Sequence, residues 1–224
     1  MLQKVFNKIH ILHNIYIKHK SFIKKKSYSL DGEDLFVEKY FKEKPTGFYV
    51  DVGCYNPVYL NNTYLLHKKK WKGINIDTSQ FSIDLFNYMR PNDLNYNSAV
   101  SNKNEYIKLY FQKEFSLLNS IEKEHAKKFM QGNIREKIME AFTLDKILSR
   151  SIYKNSRIDF LDIDVEGADL KVLEGLSFDR FRPELICVEI HEKKINKSKI
   201  YKFLVNKNYK LIWSGVFSHM FTSK

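Results

Sequence analysis

The chain has 224 residues, of which 43% are hydrophobic and 15% aromatic, with 8 glycines and 4 prolines. This composition excludes collagen-like, low-complexity and largely disordered proteins, and the length favours one globular domain. Basic residues exceed acidic ones by 38 to 26, for a net charge of +12, and no apolar run reaches the length of about 18 residues typical of a membrane span. Two cysteines, Cys54 and Cys187, are too few for a disulfide framework and predict reduced, buried thiols in a cytoplasmic protein.

The positive charge is concentrated at the N-terminus. Residues 1–27 contain seven lysines, the first being Lys4, and no acidic residue. Val5, Phe6, Ile9, Leu12 and Tyr16 recur there at helical spacing. We therefore predict that residues 1–26 form a basic arm or an amphipathic helix that docks on anionic lipid or on a partner. Because the basic residues are concentrated at one terminus rather than spread along a groove, we predict no nucleic-acid partner.

Predicted strands and helices alternate along residues 27–224. The predicted strands lie at 47–53, 73–77, 94–100, 158–165 and 185–191, and the predicted helices at 33–43, 61–70, 79–89, 167–175 and 197–207. Segments 209–215 and 219–223 predict a closing hairpin. Residues 102–150 form a predicted insertion or lid, with a strand at 105–112 and a mostly helical stretch over 117–149. This pattern predicts an α/β fold with a mostly parallel sheet, helices on both faces and an antiparallel edge.

Acidic side chains follow several predicted strands at the point where each strand ends. They are Asp51, Asp77, Asp164 and Glu189. Ligands bind at this edge of parallel sheets. The first loop, DVGCYNP, has one glycine where a dinucleotide site needs three, and no phosphate-binding loop motif occurs. Because a carboxylate such as Asp77 can accept hydrogen bonds from both ribose hydroxyls, the pattern favours a nucleoside-type cofactor without phosphates.

The fourth and fifth predicted strands carry a second polar group. Strand alternation places Asp162, Asp164 and Glu166 on one side of the fourth strand, and Cys187, Glu189 and His191 on one side of the fifth. Asp162 lies deepest and is interpreted as structural. Asp164 and Glu189 are candidate ligands for Mg²⁺, and Glu166 and His191 could join them in holding and deprotonating a hydroxyl. The charged neighbours of His125, in the insertion, favour a solvated helix face there.

Eight ordered sequence blocks within residues 27–223 resemble the FkbM family of S-adenosylmethionine-dependent methyltransferases. Among them are SYSLDGED at 27–34, GFYVDVGCYNP at 47–57, WKGINID at 71–77 and IDFLDIDVEGADLKVLEG at 158–175. The resemblance implies a Rossmann-like class I methyltransferase fold with a seven-stranded sheet, S-adenosylmethionine as cofactor, and methyl transfer commonly to a hydroxyl oxygen of a sugar or natural product.

The resemblance also implies roles for individual residues. Asp51 and Gly53 would hold the methionine end of the cofactor, Asp77 would hold the ribose, and Asp93 would lie near adenine. In the same way Ser29 and Glu33 would close over the cofactor, and Asn62 and Thr63 would meet its carboxylate. Asp164, Glu166, Glu189 and His191 are then the candidate catalytic residues.

Together these observations predict O-methylation of a sugar or a nucleotide-linked sugar for a bacterial surface glycan. Two alternatives stay open. One is methylation of an amine-bearing or phosphorylated small molecule, selected by residues 102–150. The other is a binding module that has kept the cofactor site without turnover. The basic arm would suit peripheral attachment at the inner membrane face or contact with a glycan-assembly partner.

Overall fold

The computed structural model describes residues 2–223, with side chains from Val5 onward, so the side chain of Lys4 in the predicted arm lies outside the described residues. The strands are β1 (Phe48–Val52), β2 (Lys72–Asp77), β3 (Leu94–Asn97), β4 (Ala99–Val100), β5 (Glu105–Phe111), β6 (Arg135–Phe142), β7 (Phe160–Ile163), β8 (Leu185–Glu189), β9 (Lys210–Ser214) and β10 (Ser218–Thr222). The α-helices are α1 (Leu2–Leu12), α2 (Glu33–Tyr40), α3 (Tyr64–Lys68), α4 (Gln80–Met89), α5 (Lys123–Phe129), α6 (Leu144–Arg150), α7 (Asp169–Glu174), α8 (Phe178–Phe181) and α9 (Lys199–Asn206).

Within residues 2–223, the main sheet has seven strands in the order β3-β2-β1-β7-β8-β10-β9. Neighbours from β3 to β8 pair in parallel, whereas β10 pairs antiparallel with both β8 and β9. The α/β prediction and its closing hairpin are confirmed. The chain builds outward from β1 in one direction, through β2 and β3, and then returns to the other side of β1 with β7. This reversal opens a crevice at the carboxyl ends of β1 and β7.

Both faces of the central strands are buried, which explains their continuous apolar runs. All five residues of β1 are buried. Val50 and Val52 pack in the larger apolar cluster with residues such as Leu161, while Tyr49 and Phe160 pack in a second cluster. The central strands are therefore fixed from both sides, and the loops at their carboxyl ends extend from a rigid base.

The insertion differs from the predicted helical stretch over 117–149. Only α5 and α6 are helical there, and between them β6 forms a second sheet in the order β4-β6-β5. The residues of β6 include good helix formers such as Glu136, Lys137 and Ala141, but β6 pairs antiparallel along all of β5, from Glu105 opposite Ala141 to Phe111 opposite Arg135. Tertiary pairing thus overrides the local helix propensity.

The N-terminal segment packs on the domain at one end. Helix α1 continues into a π-helix at His13–Lys18, where Asn14 and Ile15 are buried. The Asn56 side chain donates a 3.1 Å hydrogen bond to the side chain of Asn14. The ring of His10 contacts Phe81 of α4 edge-on. No helix in the described part of the chain is long and apolar enough to cross a membrane.

Candidate active site

A cavity opens at the carboxyl ends of β1, β2 and β7, where the strand order reverses. Its empty volume is about 590 Å³, counting the part open to solvent. The main sheet contributes Gly53, Asp77, Asp164 and Glu166 to its lining, and the insertion contributes Leu109, Ser116, Leu117, Asn119 and Ile121. The insertion therefore forms one wall of the cavity.

The backbone of Gly53 allows the loop after β1 to pack against the end of β7. Gly53 has a φ of 86°, and a Cβ built on it would lie 1.8 Å from the carbonyl oxygen of Asp164. Its N–H donates a 2.9 Å hydrogen bond to the carbonyl of Ile76. Only glycine accommodates both this backbone conformation and this approach. Its lack of a side chain also keeps the cavity open beside the loop.

The Asp77 carboxylate is held by two backbone donors. The N–H of Tyr55 donates to Oδ2 at 2.9 Å, and the N–H of Ser79 donates to Oδ1 at 2.7 Å. Each oxygen has a further lone pair, so Asp77 can accept two more hydrogen bonds from a ligand in the cavity. Burial raises the pKa of Asp77 to about 6. This arrangement fits the two hydroxyls of a ribose.

Asp51 and Thr63 meet behind the first loop rather than in the cavity. The buried Asp51 carboxylate accepts hydrogen bonds from the Thr63 hydroxyl at 2.7 Å and from the Asn61 amide at 3.1 Å. Arg90, which is fully buried, donates to the Thr63 hydroxyl at 2.8 Å. Burial raises the pKa of Asp51, and the positive charge of Arg90 opposes that effect. The network fixes the loop that carries Gly53.

Asp93 lies at the opposite end of the sheet from the cavity. Its carboxylate accepts hydrogen bonds from the Tyr49 hydroxyl, the Gly73 N–H and the Asn75 amide. Asp93 precedes β3, whereas the cavity lies beyond the end of β3, so the structure does not bring Asp93 to the cavity that we expected adenine to occupy. Ser98 lines the cavity there instead.

Three further predicted cofactor residues surround the cavity without lining it. The Ser29 hydroxyl donates to Asp34 at 2.8 Å. Glu33 is buried, and its negative charge helps to raise the pKa of Asp164. The Asn62 amide donates to the carboxylate of Asp162 at 3.1 Å, which agrees with a structural role for Asp162. Ser29 and Asn62 thus hold neighbouring backbone and strand groups in place.

Four side chains meet between this cavity and a neighbouring groove, and we call them the junction cluster: His125, Glu166, Glu189 and His191. His125 Nε2 lies 3.8 Å from Glu166 Oε2, and His191 Nε2 lies 2.9 Å from Glu189 Oε2. Their side chains are between 12% and 28% exposed. They come from α5, the loop after β7, the end of β8 and the residues after β8. Three of the four predicted catalytic residues are thereby brought together.

The fourth, Asp164, lies on the cavity side. Its side chain reaches the open space of the cavity, yet the surrounding protein and the nearby carboxylates of Asp51, Glu33 and Asp77 raise its pKa to about 6. Nearby negative charge stabilises the positively charged sulfur of a sulfonium ion. Asp164 is therefore suited to lie beside such a group in the cavity.

The backbone of the loop after β7 is strained beside the cluster. Glu166 has a φ of 54°, which is uncommon for a residue with a side chain. Gly167 has a φ of 94°, and a Cβ there would lie 2.8 Å from the ring of His125. The Ser120 hydroxyl donates a 2.6 Å hydrogen bond to the carbonyl of Glu166. The insertion therefore fixes the loop in the conformation that brings Glu166 to His125.

Burial and mutual repulsion raise the pKa values of the carboxyl groups here. The pKa is about 8 for Glu166, about 10 for Glu189 and about 7 for Asp169, with burial as the main cause and neighbouring carboxylates as the second. Burial lowers the pKa of His125 and His191. Both imidazoles are therefore neutral near pH 7, and each has a nitrogen that can accept a proton or bind a metal.

The junction cluster also borders a wide groove, with an empty volume of about 1360 Å³ that includes open solvent. His125, Phe129, Glu189 and His191 line it, together with the charged residues Glu122, Glu124, Lys128, Asp169, Lys171, Glu192 and Lys199. Glu166 lines the first cavity, so the cluster separates the two spaces.

From the sequence, His125 could reach the acceptor, but its charged neighbours favoured a solvated helix face. Its neighbours Lys123, Glu124 and Lys127 are solvated as expected, but His125 itself turns inward. Its ring lies 4.4 Å from that of Phe129, one helical turn away. This spacing of a histidine and an aromatic residue on one helix face was the signal available in the sequence.

The sheet order and the cavity at the carboxyl ends of its parallel strands define a Rossmann-like methyltransferase fold. The family model of the methyltransferase FkbM domain matches residues 51–211, and the chain belongs to the FkbM methyltransferase family. No curated protein matches the chain. The matched range includes the cavity and the whole junction cluster but begins after Ser29 and Glu33.

Proposed function

We propose that this protein transfers a methyl group from S-adenosylmethionine to a hydroxyl of a carbohydrate, either a free sugar or a nucleotide-linked sugar for a bacterial surface glycan. One observation carries the proposal: the junction cluster lies between an open groove and a cavity lined, among the described residues, by carboxylates without lysine or arginine. The cofactor supplies an electrophilic methyl group on a positively charged sulfur. The acceptor oxygen bonds to the methyl carbon as the carbon–sulfur bond breaks, and the hydroxyl proton passes to the protein.

The charges of the cavity support a cationic, phosphate-free cofactor. Its described lining contains Asp77, Asp164 and Glu166 but no lysine or arginine, although the chain has a net charge of +12. Phosphates bind to cationic side chains and clustered backbone donors. A sulfonium and a ribose, in contrast, are matched by carboxylates. Asp77 binds the ribose, and Asp164 stabilises the positive end of the cofactor.

The groove supports a hydroxyl-bearing acceptor. Phe129 presents a ring beside those of His125 and His191, at centroid distances of 4.4 and 5.3 Å. Carboxyl groups of Glu189 and Glu192 also line this space. Sugar hydroxyls donate to carboxylates, and the apolar face of a sugar ring packs on aromatic side chains.

The junction cluster supplies acceptors for the hydroxyl proton. His125 and His191 are neutral near pH 7 because burial lowers their pKa values, and Glu189 lies beside His191. A correctly placed base contributes about 10²- to 10⁴-fold to rate. Holding the acceptor oxygen in line with the methyl group also increases the rate, because alignment before the reaction lowers the entropic part of the activation barrier.

We further propose that α1 attaches the protein to an anionic membrane surface. Val5, Phe6 and Ile9 are 52%, 61% and 54% exposed, so this apolar group has no partner among the described residues that covers it. The seven lysines of residues 1–27 are complementary to anionic lipid headgroups. A methyltransferase held in this way would meet lipid-linked glycan precursors.

Mass spectrometry with a deuterated methyl donor tests the proposed reaction. The purified protein is incubated with labelled S-adenosylmethionine and separate panels of neutral sugars, nucleotide sugars, amines and phosphorylated small molecules. We expect label on a sugar oxygen, with release of S-adenosylhomocysteine. Transfer only to an amine, or to a phosphorylated compound without a sugar hydroxyl, would overturn the choice of acceptor.

Two variants show whether the labelling depends on the cavity. With the cofactor below saturation, Asp77→Ala should label less product than the wild type, because the ribose contact is lost. Asp179→Ala changes an exposed residue of α8, outside both the cavity and the groove, and should label as much product as the wild type.

A further inference from the structure

We propose that His125, Glu166 and His191 bind a divalent first-row transition-metal ion. One potential ligand atom from each of the three residues lies within 4.8 Å of those of the other two. The three residues are far apart in sequence and are brought together by α5, the loop after β7 and the segment after β8. This site does not depend on the identity of the methyl acceptor.

Unpaired buried atoms point to an ion in this place. His125 Nε2 and Glu189 Oε2 are both buried without a hydrogen-bond partner in the structure. Glu189 Oε2 lies 2.9 Å from His191 Nε2, yet it makes no hydrogen bond there. Buried polar atoms nearly always have a partner. A cation among these residues would provide one for each atom.

The distances suit ligands that share an ion. Metal bonds from histidine nitrogen and carboxylate oxygen are about 2.0–2.2 Å long, so neighbouring ligand atoms lie about 3–3.5 Å apart. The 2.9 Å between His191 Nε2 and Glu189 Oε2 is close to this range, and the 3.8 Å between His125 Nε2 and Glu166 Oε2 needs a contraction of a few tenths of an ångström. The three ligand atoms all lie within 4.8 Å of one another, so ion binding draws them closer together.

The ligand chemistry selects the type of metal. Two neutral imidazoles favour zinc, cobalt, iron or nickel, whereas Mg²⁺ and Ca²⁺ prefer oxygen ligands. The set therefore differs from the Mg²⁺ site predicted at Asp164 and Glu189. Glu189 adjoins the new site, where its carboxyl group can serve as an additional ligand.

The strained backbone of the loop after β7 supports the proposed metal site. Glu166 is held at a φ of 54°, with its carbonyl bound by Ser120, and Gly167 lies against the ring of His125. Strain of this kind costs about 1–3 kcal/mol and persists where the surroundings impose it. Here the imposed conformation directs a carboxylate toward two histidines.

The groove leaves one side of the site open to a further ligand. If the proposed methyl transfer is correct, on which this role alone rests, the ion binds the acceptor oxygen and makes its proton more acidic. That proton then passes to water in the open groove, since the two imidazoles are occupied and Glu189, with a pKa of about 10, is already protonated near pH 7.

Cobalt binding to the untagged, chelator-treated full chain tests the site without cofactor or acceptor. Cobalt(II) is followed by its visible absorption, and bound zinc is measured by elemental analysis after dialysis. We expect one ion per chain, with affinity at least tenfold lower in His125→Ala, His191→Ala and Glu166→Gln. His13→Ala, which removes an exposed histidine, is the matched control and keeps the wild-type affinity.

Circular dichroism and thermal denaturation establish that each variant is folded, and Glu166→Gln preserves the side-chain volume. Absence of binding to the folded wild-type chain would overturn the proposal. Unchanged binding in all three folded variants would do the same, because it would assign the ion to other histidines. Neither result bears on methyl transfer, which is measured separately.

Discussion

The carbonyl oxygen of Asp164 occupies the space into which a side chain on Gly53 would point, only 1.8 Å from the position of a Cβ. The ends of β1 and β7 therefore come together only if residue 53 is glycine. Because Gly53 and Asp164 both line the cavity, this backbone contact sets its shape.

Replacing Gly53 with alanine should damage the cofactor cavity. Gly53→Ala must relieve both an unfavourable φ of 86° and the contact with Asp164, so we expect loss of measurable S-adenosylhomocysteine binding and a lower melting temperature. Gly132→Ala is the matched control. Gly132 has a similar φ of 88°, but the nearest atom to its Cβ is 3.8 Å away. We expect that control to lose only about 1–2 kcal/mol of stability and to bind normally. Equal losses of binding and of stability in the two variants would show that the contact between Gly53 and Asp164 does not set the shape of the cavity.

Asp77→Ala should weaken cofactor binding by about 1–3 kcal/mol while the protein stays folded, because two hydrogen bonds from the ribose are lost. Calorimetric titration with S-adenosylhomocysteine measures the change. Asp179→Ala, at an exposed position on α8, is the control and should bind as the wild type does. Wild-type affinity in Asp77→Ala would exclude the ribose contact.

Cofactor affinity should depend on pH near the pKa of Asp77, which is about 6. Only the ionised carboxylate can accept from both ribose hydroxyls, so affinity should decrease as the pH falls from about 7 through 6. In Asp77→Asn the decrease should be shallower, because among the cavity carboxylates Asp164 still titrates in this range. Identical pH profiles for the two proteins would rule out a contribution from Asp77.

Arg90→Met should destabilise the protein by about 3–5 kcal/mol, because it leaves the buried carboxylate of Asp51 without its compensating charge. Urea denaturation gives the change in the free energy of unfolding. Arg180 pairs with Asp145 at 3.4 Å on the surface, and Arg180→Met should cost less than about 1 kcal/mol. A similarly small cost for Arg90→Met would show that the buried network does not hold the first loop.

The double variant Phe6→Ser and Ile9→Ser should bind less to vesicles that contain phosphatidylglycerol, since it removes exposed apolar contacts without altering the buried Ile15. Vesicle flotation measures binding, with Ile152→Ser as the control because Ile152 is 79% exposed elsewhere on the protein. Equal flotation of the double variant and the control would argue against membrane attachment through α1.

The central sheet could be predicted because its strands are apolar runs bounded by turn residues, and the acids Asp77 and Asp164 follow those runs directly. The strand β6 could not, since its helix-forming residues are held extended by pairing with β5 and β4. The position of Asp93 could be predicted, because the predicted strand at 94–100 begins directly after it and ligands bind at the other end of parallel strands. Its expected contact with adenine came from the family resemblance alone.

The junction cluster was predicted in part. Glu166, Glu189 and His191 could be inferred from two strands that end at the same edge of one sheet. His125 could not be placed with them, because its position depends on how the insertion folds back and on the contact between Ser120 and the Glu166 carbonyl.

Calorimetric titration of the purified chain with S-adenosylhomocysteine decides whether the cavity binds the methyl donor. We expect one binding site per chain with micromolar affinity, lost in Gly53→Ala and weakened in Asp77→Ala. A folded wild-type protein that releases no heat and shows no thermal stabilisation with this ligand would contradict this expectation.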